Sequence, residues 1–189
     1  MHGMRMRHFG FFITYSLIVG CAAETAIKPE FLDERTGITV AALQDPIEMV
    51  QLGTLSLGKR ASFAYFGPVE WNRMGATQFG LWVHIAPGND QPIRDIHEAT
   101  AVVLVLDNKA VPLVLIEAPP LEKEPYEPKI SWGQSAYFEL NSATLSHLGD
   151  SRKIELQFRG QNIQTVRFTE SHDNRAILSE YARARHAAP

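Results

Sequence analysis

The chain has 189 residues, of which 45% are hydrophobic and 21% charged, and its 18 basic and 21 acidic side chains give a net charge of −3. Length and apolar content suit a single domain with a substantial core. A mildly acidic chain without a basic cluster argues against a nucleic-acid partner and against electrostatic docking on anionic lipid.

The first element is a basic, acid-free start holding Arg5 and Arg7. An apolar run follows from Phe9 to Gly20, with Phe11, Phe12, Ile13, Leu17, Ile18 and Val19. This is the layout of an export signal. At about 12 residues the run falls short of the roughly 20 that a membrane-spanning helix needs.

The run ends in Leu17-Ile18-Val19-Gly20-Cys21. It resembles the lipobox of bacterial lipoproteins, in which apolar residues and then a small residue precede a cysteine. The resemblance covers residues 1–21. Leucine is commonest three places before the cysteine, where this chain has Ile18. The resemblance implies that Cys21 receives a diacylglycerol thioether and that cleavage before it frees an amine for a third acyl chain, such as palmitate. Each buried methylene contributes about 0.8 kcal/mol, so two or three chains hold a protein on a membrane for long times. Ala22 after the cysteine implies, by the same analogy, the outer membrane with the domain facing the periplasm. Cys21 is the only cysteine, which rules out an intrachain disulfide. Lipidation would also remove a thiol prone to unwanted pairing in an oxidising compartment. The rival reading is ordinary secretion, with cleavage after Ala23.

The expected organisation is therefore a signal peptide at 1–20, a lipidated tether at 21–35 and one β-rich domain at 36–189. With Arg5 and Arg7 gone, 16 basic side chains face 21 acidic ones, a balance of −5. The tether is polar, contains Lys28-Pro29 and has little reach.

Period-2 patterns begin after it. Ile38 and Val40 alternate with Thr39 and Ala41, and Ile47 and Met49 flank Glu48. Ala61, Phe63 and Tyr65 alternate with small residues, and Phe79, Leu81, Val83 and Ile85 interleave with Gly80, Trp82 and His84. Strict alternation predicts strands with two different faces. Gly67 to Gly75 reads as a long turn. Ala101–Leu106 and Val111–Ile116 are nearly continuous apolar runs around Asp107-Asn108-Lys109-Ala110, which predicts a hairpin covered on both faces or awaiting a partner. Pro112 places the second strand at an edge. Residues 118–129 hold four prolines among charges and read as an extended loop, more often a connection than a recognition arm.

Tyr137–Leu140 predicts another strand. Ser142 is expected to cap a short helix stopped by Gly149. Ile154–Phe158 and Ile163–Phe168 predict a second hairpin. Ile177, Leu178 and Tyr181 form a narrow stripe near helical spacing, so a C-terminal helix closes the chain. Eight or nine short strands in series predict a mainly β fold, an antiparallel sandwich of immunoglobulin-like kind with a short and a C-terminal helix; α+β is the alternative.

Candidate chemistry is sparse. No histidine pair has a metal-binding spacing such as H-E-x-x-H, and there is no nucleophile elbow, P-loop or dinucleotide fingerprint. No metal, cofactor or catalytic residue is assigned. Asp95, His97 and Glu98 form the best polar cluster, able in principle to hold a cation or move a proton; a wet loop is the blander reading. Trp71 and Arg73 are of the types enriched in binding hot spots, against the reading that Trp71 caps the core. Trp82 and His84 read as a half-exposed surface pair before they read as a ligand face.

The leading expectation is a non-catalytic envelope module, tied to the membrane through Cys21 and binding another envelope protein or helping an assembly. The alternatives are a small-ligand or glycan-binding domain that stacks on Trp71, Trp82 and Trp132, and a hydrolase using Asp95, His97 and Glu98. The Val102–Ile116 hairpin is where an apolar docking patch is expected.

Overall fold

The computed structural model describes residues 27–51, 61–88, 95–160 and 165–186. The signal segment, Cys21, residues 90–94 of the polar loop and the turn at 161–162 lie outside these ranges. The alternating stretches form strands: β1 (Phe31–Asp33), β2 (Ile38–Ala42), β3 (Ile47–Gln51), β4 (Phe63–Arg73), β5 (Ala76–Ala86), β6 (Ala101–Leu106), β7 (Lys109–Leu113), β8 (Leu115–Ile116), β9 (Gln134–Leu140), β10 (Ile154–Arg159) and β11 (Thr165–Glu170). The helices are α1 (Ser142–Asp150) and α2 (Arg175–His186).

The fold is mainly β and antiparallel, but it is a nearly closed barrel and not a sandwich. Nine strands follow one another in the order β7-β6-β10-β11-β3-β4-β5-β9-β8. The two ends of that series, β7 and β8, are consecutive in the chain. Lys109–Leu113 pairs with β6, and two residues on Leu115–Ile116 pairs with β9. Between them the Val114 carbonyl accepts the N–H of Glu139 at 2.8 Å. One short stretch thus bridges both edges, which nearly closes the sheet on itself and leaves little edge exposed. Pro112 does lie on a strand at the end of the series, as its missing N–H requires.

Register divides the side chains into two sets. Directly paired residues share a face. Met49, Phe66, Leu81, Val83, Leu104, Phe138, Leu156, Phe158 and Phe168 fall on one face of their strands and are all buried. They fill the barrel interior as part of a single core. At one end α1 and α2 pack together, and Ala182 sits so close to Gly149 that a β-carbon there would lie 2.7 Å from its Cβ. Gly149 thus serves this close approach from inside the helix and does not stop it. The cap of α1 is also one residue earlier than expected: Asn141 accepts the N–H of Thr144 at 2.8 Å. Tyr181 of α2 donates to the Ala41 carbonyl at 3.1 Å.

The segment read as a long turn, Gly67 to Gly75, is mostly strand. β4 continues to Arg73, and the turn is only Met74-Gly75, both at positive φ. Two residues at positive φ suit the twist of a hairpin, and Asp107-Asn108 repeat the arrangement between β6 and β7. Pro68 is tolerated in the middle of β4 because the neighbouring strand changes there. Residues 63–66 pair with β3 and residues 69–72 with β2. The stretch expected as tether is also partly folded: Ile27 bridges Leu43, and β1 pairs with β2.

The outer face of β2, β4, β5 and β9 carries a second apolar layer. Val40, Tyr65, Val69, Trp71 and Trp82 are all buried there, under the proline-rich segment 117–133. Tyr126 from that segment is 3% exposed. Its hydroxyl donates to the Pro68 carbonyl at 2.6 Å and accepts the Leu43 N–H at 2.9 Å. The loop is a strap pinned across the barrel.

Candidate functional site

Where the strap crosses the β4–β5 hairpin it leaves a hollow of about 520 Å³. The lining comes from four parts of the chain. Arg35 and Thr36 follow β1, Ile38 begins β2, Trp71 and Arg73 end β4, and Gln78 lies on β5; Pro119 and Pro120 belong to the strap. The Trp71 ring rests on Gly80, where a β-carbon would overlap it, and sits 5.4 Å from the Tyr137 ring. Trp71 is 2% exposed, yet its indole N–H has no acceptor among the described residues. A buried donor left unpaired costs about 1–3 kcal/mol, and such groups call for an explanation.

The polar lining is otherwise cationic or neutral. Arg35 donates to the Pro120 carbonyl, which fixes one edge of the hollow. Thr36 donates its backbone N–H and its hydroxyl to Asp33, at 2.9 and 2.7 Å. Asp33 also accepts the Glu122 N–H at 2.6 Å. The Glu122 bond, then the Thr36 hydroxyl, hold this carboxyl below its usual range. Asp33 thereby ties β1 to the strap.

No protein-family model, curated protein or solved structure matches the chain.

The residues singled out from the sequence separate in space. Trp71 and Arg73 meet in the hollow. Trp82 and His84 are not a half-exposed pair: they are 2% and 3% exposed, with Tyr126 against Trp82 and the Trp132 backbone against His84. The Trp82 ring stacks on His84 at 5.8 Å and lies 5.3 Å from Tyr126. Nδ1 of His84 is 2.8 Å from the Ser135 hydroxyl, and Nε2 is 3.4 Å from the Trp132 carbonyl. Since a carbonyl only accepts, Nε2 carries the proton and Nδ1 accepts from Ser135. Burial pushes the imidazole below its ordinary pKa. A serine beside an imidazole is the spacing of a nucleophile and base, but here a backbone carbonyl, not a carboxylate, faces the second nitrogen. The two residues are simply opposite one another across β5 and β9. Of the three indoles expected as a stacking surface, Trp71 and Trp82 are buried, and only Trp132, at 44% exposed, faces solvent.

Asp95, His97 and Glu98 lie on a single 3-10 turn, Ile96–Glu98. The Asp95 carboxylate caps it by accepting the His97 N–H at 2.8 Å. His97 and Glu98 are exposed, and among the described residues no group of three His, Cys, Asp or Glu comes together to hold a metal ion. On the β6–β7 hairpin the inner residues Val102, Leu104 and Leu106 are buried. On the outer face Val103 and Val105 are half-buried while Pro112 and Val114 are exposed.

Arg35, Thr36, Gln78, Pro119 and Pro120 carried no signal in the sequence. Each is an ordinary turn, strand or loop residue there. Only the crossing of the strap over the hairpin brings them to Trp71.

Proposed function

We propose that the chain is an exported lipoprotein, held on a membrane through Cys21, whose folded domain acts by binding and not by catalysis. The observation that carries the binding reading is the Trp71 indole N–H, buried without an acceptor among the described residues, in a residue that lines an open hollow. An orphaned donor beside a cavity is a group awaiting a partner. The other free side-chain groups of the hollow hold a ligand by hydrogen bonds but supply neither a nucleophile nor a general base. The anchor rests on the resemblance of Leu17–Cys21 to a lipobox, and the outer membrane is its proposed address.

Both halves are testable in a bacterial host. Mass spectrometry of the exported protein is expected to find an N-terminal Cys21 bearing acyl chains, and Cys21→Ala is expected to leave the detergent phase. A product retaining its leader, or one cut after Ala23, overturns the anchor. A photo-crosslinking residue at Gln78, on the rim of the hollow, is expected to trap a discrete adduct that the same residue at Arg167 does not. Equal trapping at both sites, or none at Gln78, overturns the binding reading.

A further inference from the structure

We infer that the hollow takes an oxyanion, a carboxylate or phosphate group carried on a small ring with an apolar face, such as a pyranose; this rests on the binding reading above and supplies its ligand class. Every uncommitted hydrogen-bonding side chain of the lining carries donors. Arg73 has no acidic partner among the described residues, and Arg35 uses part of its guanidinium on the Pro120 carbonyl. The Trp71 indole, whose N–H is unpaired, forms one wall of the hollow, and the Gln78 amide adds two donors. Among the described residues no carboxylate lines the hollow. Asp33, close by in the chain, is already engaged by Thr36 and Glu122.

Two guanidinium groups and a side-chain amide are complementary to an acceptor that is rich in lone pairs and negatively charged. The planar fork of arginine matches the paired oxygens of a carboxylate or phosphate, which a lysine would meet only as a point charge. The walls supply the other half of the recognition. Ile38, Pro119 and Pro120 are apolar, and the prolines have no N–H to satisfy. A volume of about 520 Å³ falls within the usual range for small-molecule sites. The charge on the ligand is thus met by the two arginines, and its body by the proline wall.

The indole protons report this directly. Three tryptophans give three indole N–H signals, and Trp82→Phe with Trp132→Phe assigns that of Trp71 by elimination. The ¹⁵N-labelled protein, purified from membranes in a neutral detergent, is titrated with glucuronate, glucose 1-phosphate and glucose at constant ionic strength. The Trp71 signal is expected to move saturably with one or both anions and to stay put with glucose. The signals of Trp82 and Trp132 are expected to hold still. The two anions separate carboxylate from phosphate recognition. Arg35→Gln and Arg73→Gln, both at exposed positions, are each expected to raise the apparent Kd at least tenfold. A saturable response to glucose equal to that of the anions overturns the oxyanion and leaves the binding reading standing. Silence of the Trp71 signal toward both anions overturns the oxyanion, and so does a response unchanged in the double arginine variant. If the Gln78 crosslink nevertheless forms, the failure belongs to the ligand class and not to the binding reading.

Discussion

The ring of Tyr126 rests on the backbone of Gly67 so closely that a β-carbon at that position would overlap its Cζ. These two residues are 59 positions apart in the chain, and their contact is one of those that hold the proline-rich strap on the barrel. Gly67 is needed for space and not for an unusual backbone angle. Gly67→Ala is expected to destabilise the fold by about 1–3 kcal/mol, the usual cost of forcing an extra carbon into a packed layer. Urea denaturation reads this as a lower midpoint. An unchanged midpoint would mean that the strap lifts without cost.

Tyr126→Phe tests the hydroxyl apart from the ring. The substitution leaves the Leu43 N–H without its acceptor and the Pro68 carbonyl without its donor, both in buried surroundings. A loss of about 1–3 kcal/mol is expected. Amide exchange at Leu43 should accelerate by more than exchange at Phe158, on the far side of the barrel.

His84 sets a pH dependence. Its imidazole is held below 6.5 by burial, so the unfolded chain takes up a proton before the folded one does. Stability from this residue is complete above about pH 6.5 and is lost as the pH falls toward the folded value. His84→Gln is expected to flatten the slope of unfolding free energy between pH 7.5 and 5.5. An identical slope in the variant would show that the proton goes elsewhere.

Arg185 sets a dependence of the opposite sign. Its guanidinium lies 3.6 Å from Glu70, 2.5 Å from Glu30 and over the Tyr181 ring. Burial raises the Glu70 pKa, and Arg185 offsets only part of that rise. The ionised form of Glu70 therefore weighs against folding, a cost absent below about pH 4.5 that appears as the pH rises through the folded value. Arg185→Ala removes the buried counter-charge. Its destabilisation is expected to be largest at pH 7 and to shrink near pH 4, where Glu70 is protonated. Thermal melts at the two pH values compare these losses, and an equal loss at both would assign the effect to packing of the arginine stem.

Legibility in the sequence followed from how local each feature is. The alternation of Phe79, Leu81, Val83 and Ile85 with Gly80, Trp82 and His84 announces β5, because a strand turns each side chain opposite to the last. The hairpins at Asp107-Asn108 and after Arg159 follow from polar residues between apolar runs. The reading failed where one residue type serves two purposes. Gly67 and Pro68 look like a turn, yet Gly67 makes room for Tyr126 and Pro68 sits where β4 changes neighbours. His84 looked half-exposed because the strap that covers it starts more than thirty residues later.

By itself the sequence determined the short-range matters: which stretches are strands, where two hairpins turn, that two helices follow, and that the first 21 residues resemble a lipoprotein leader. Those properties reside in the spacing of neighbouring side chains. Only the tertiary structure decided that the sheet wraps instead of facing a second one, because closure depends on one stretch, Lys109–Ile116, finding two edges at once. It also decided that Arg35, Trp71 and Pro120 share a hollow. Such meetings are set by which distant surfaces bury each other best, and a one-dimensional pattern carries no record of them.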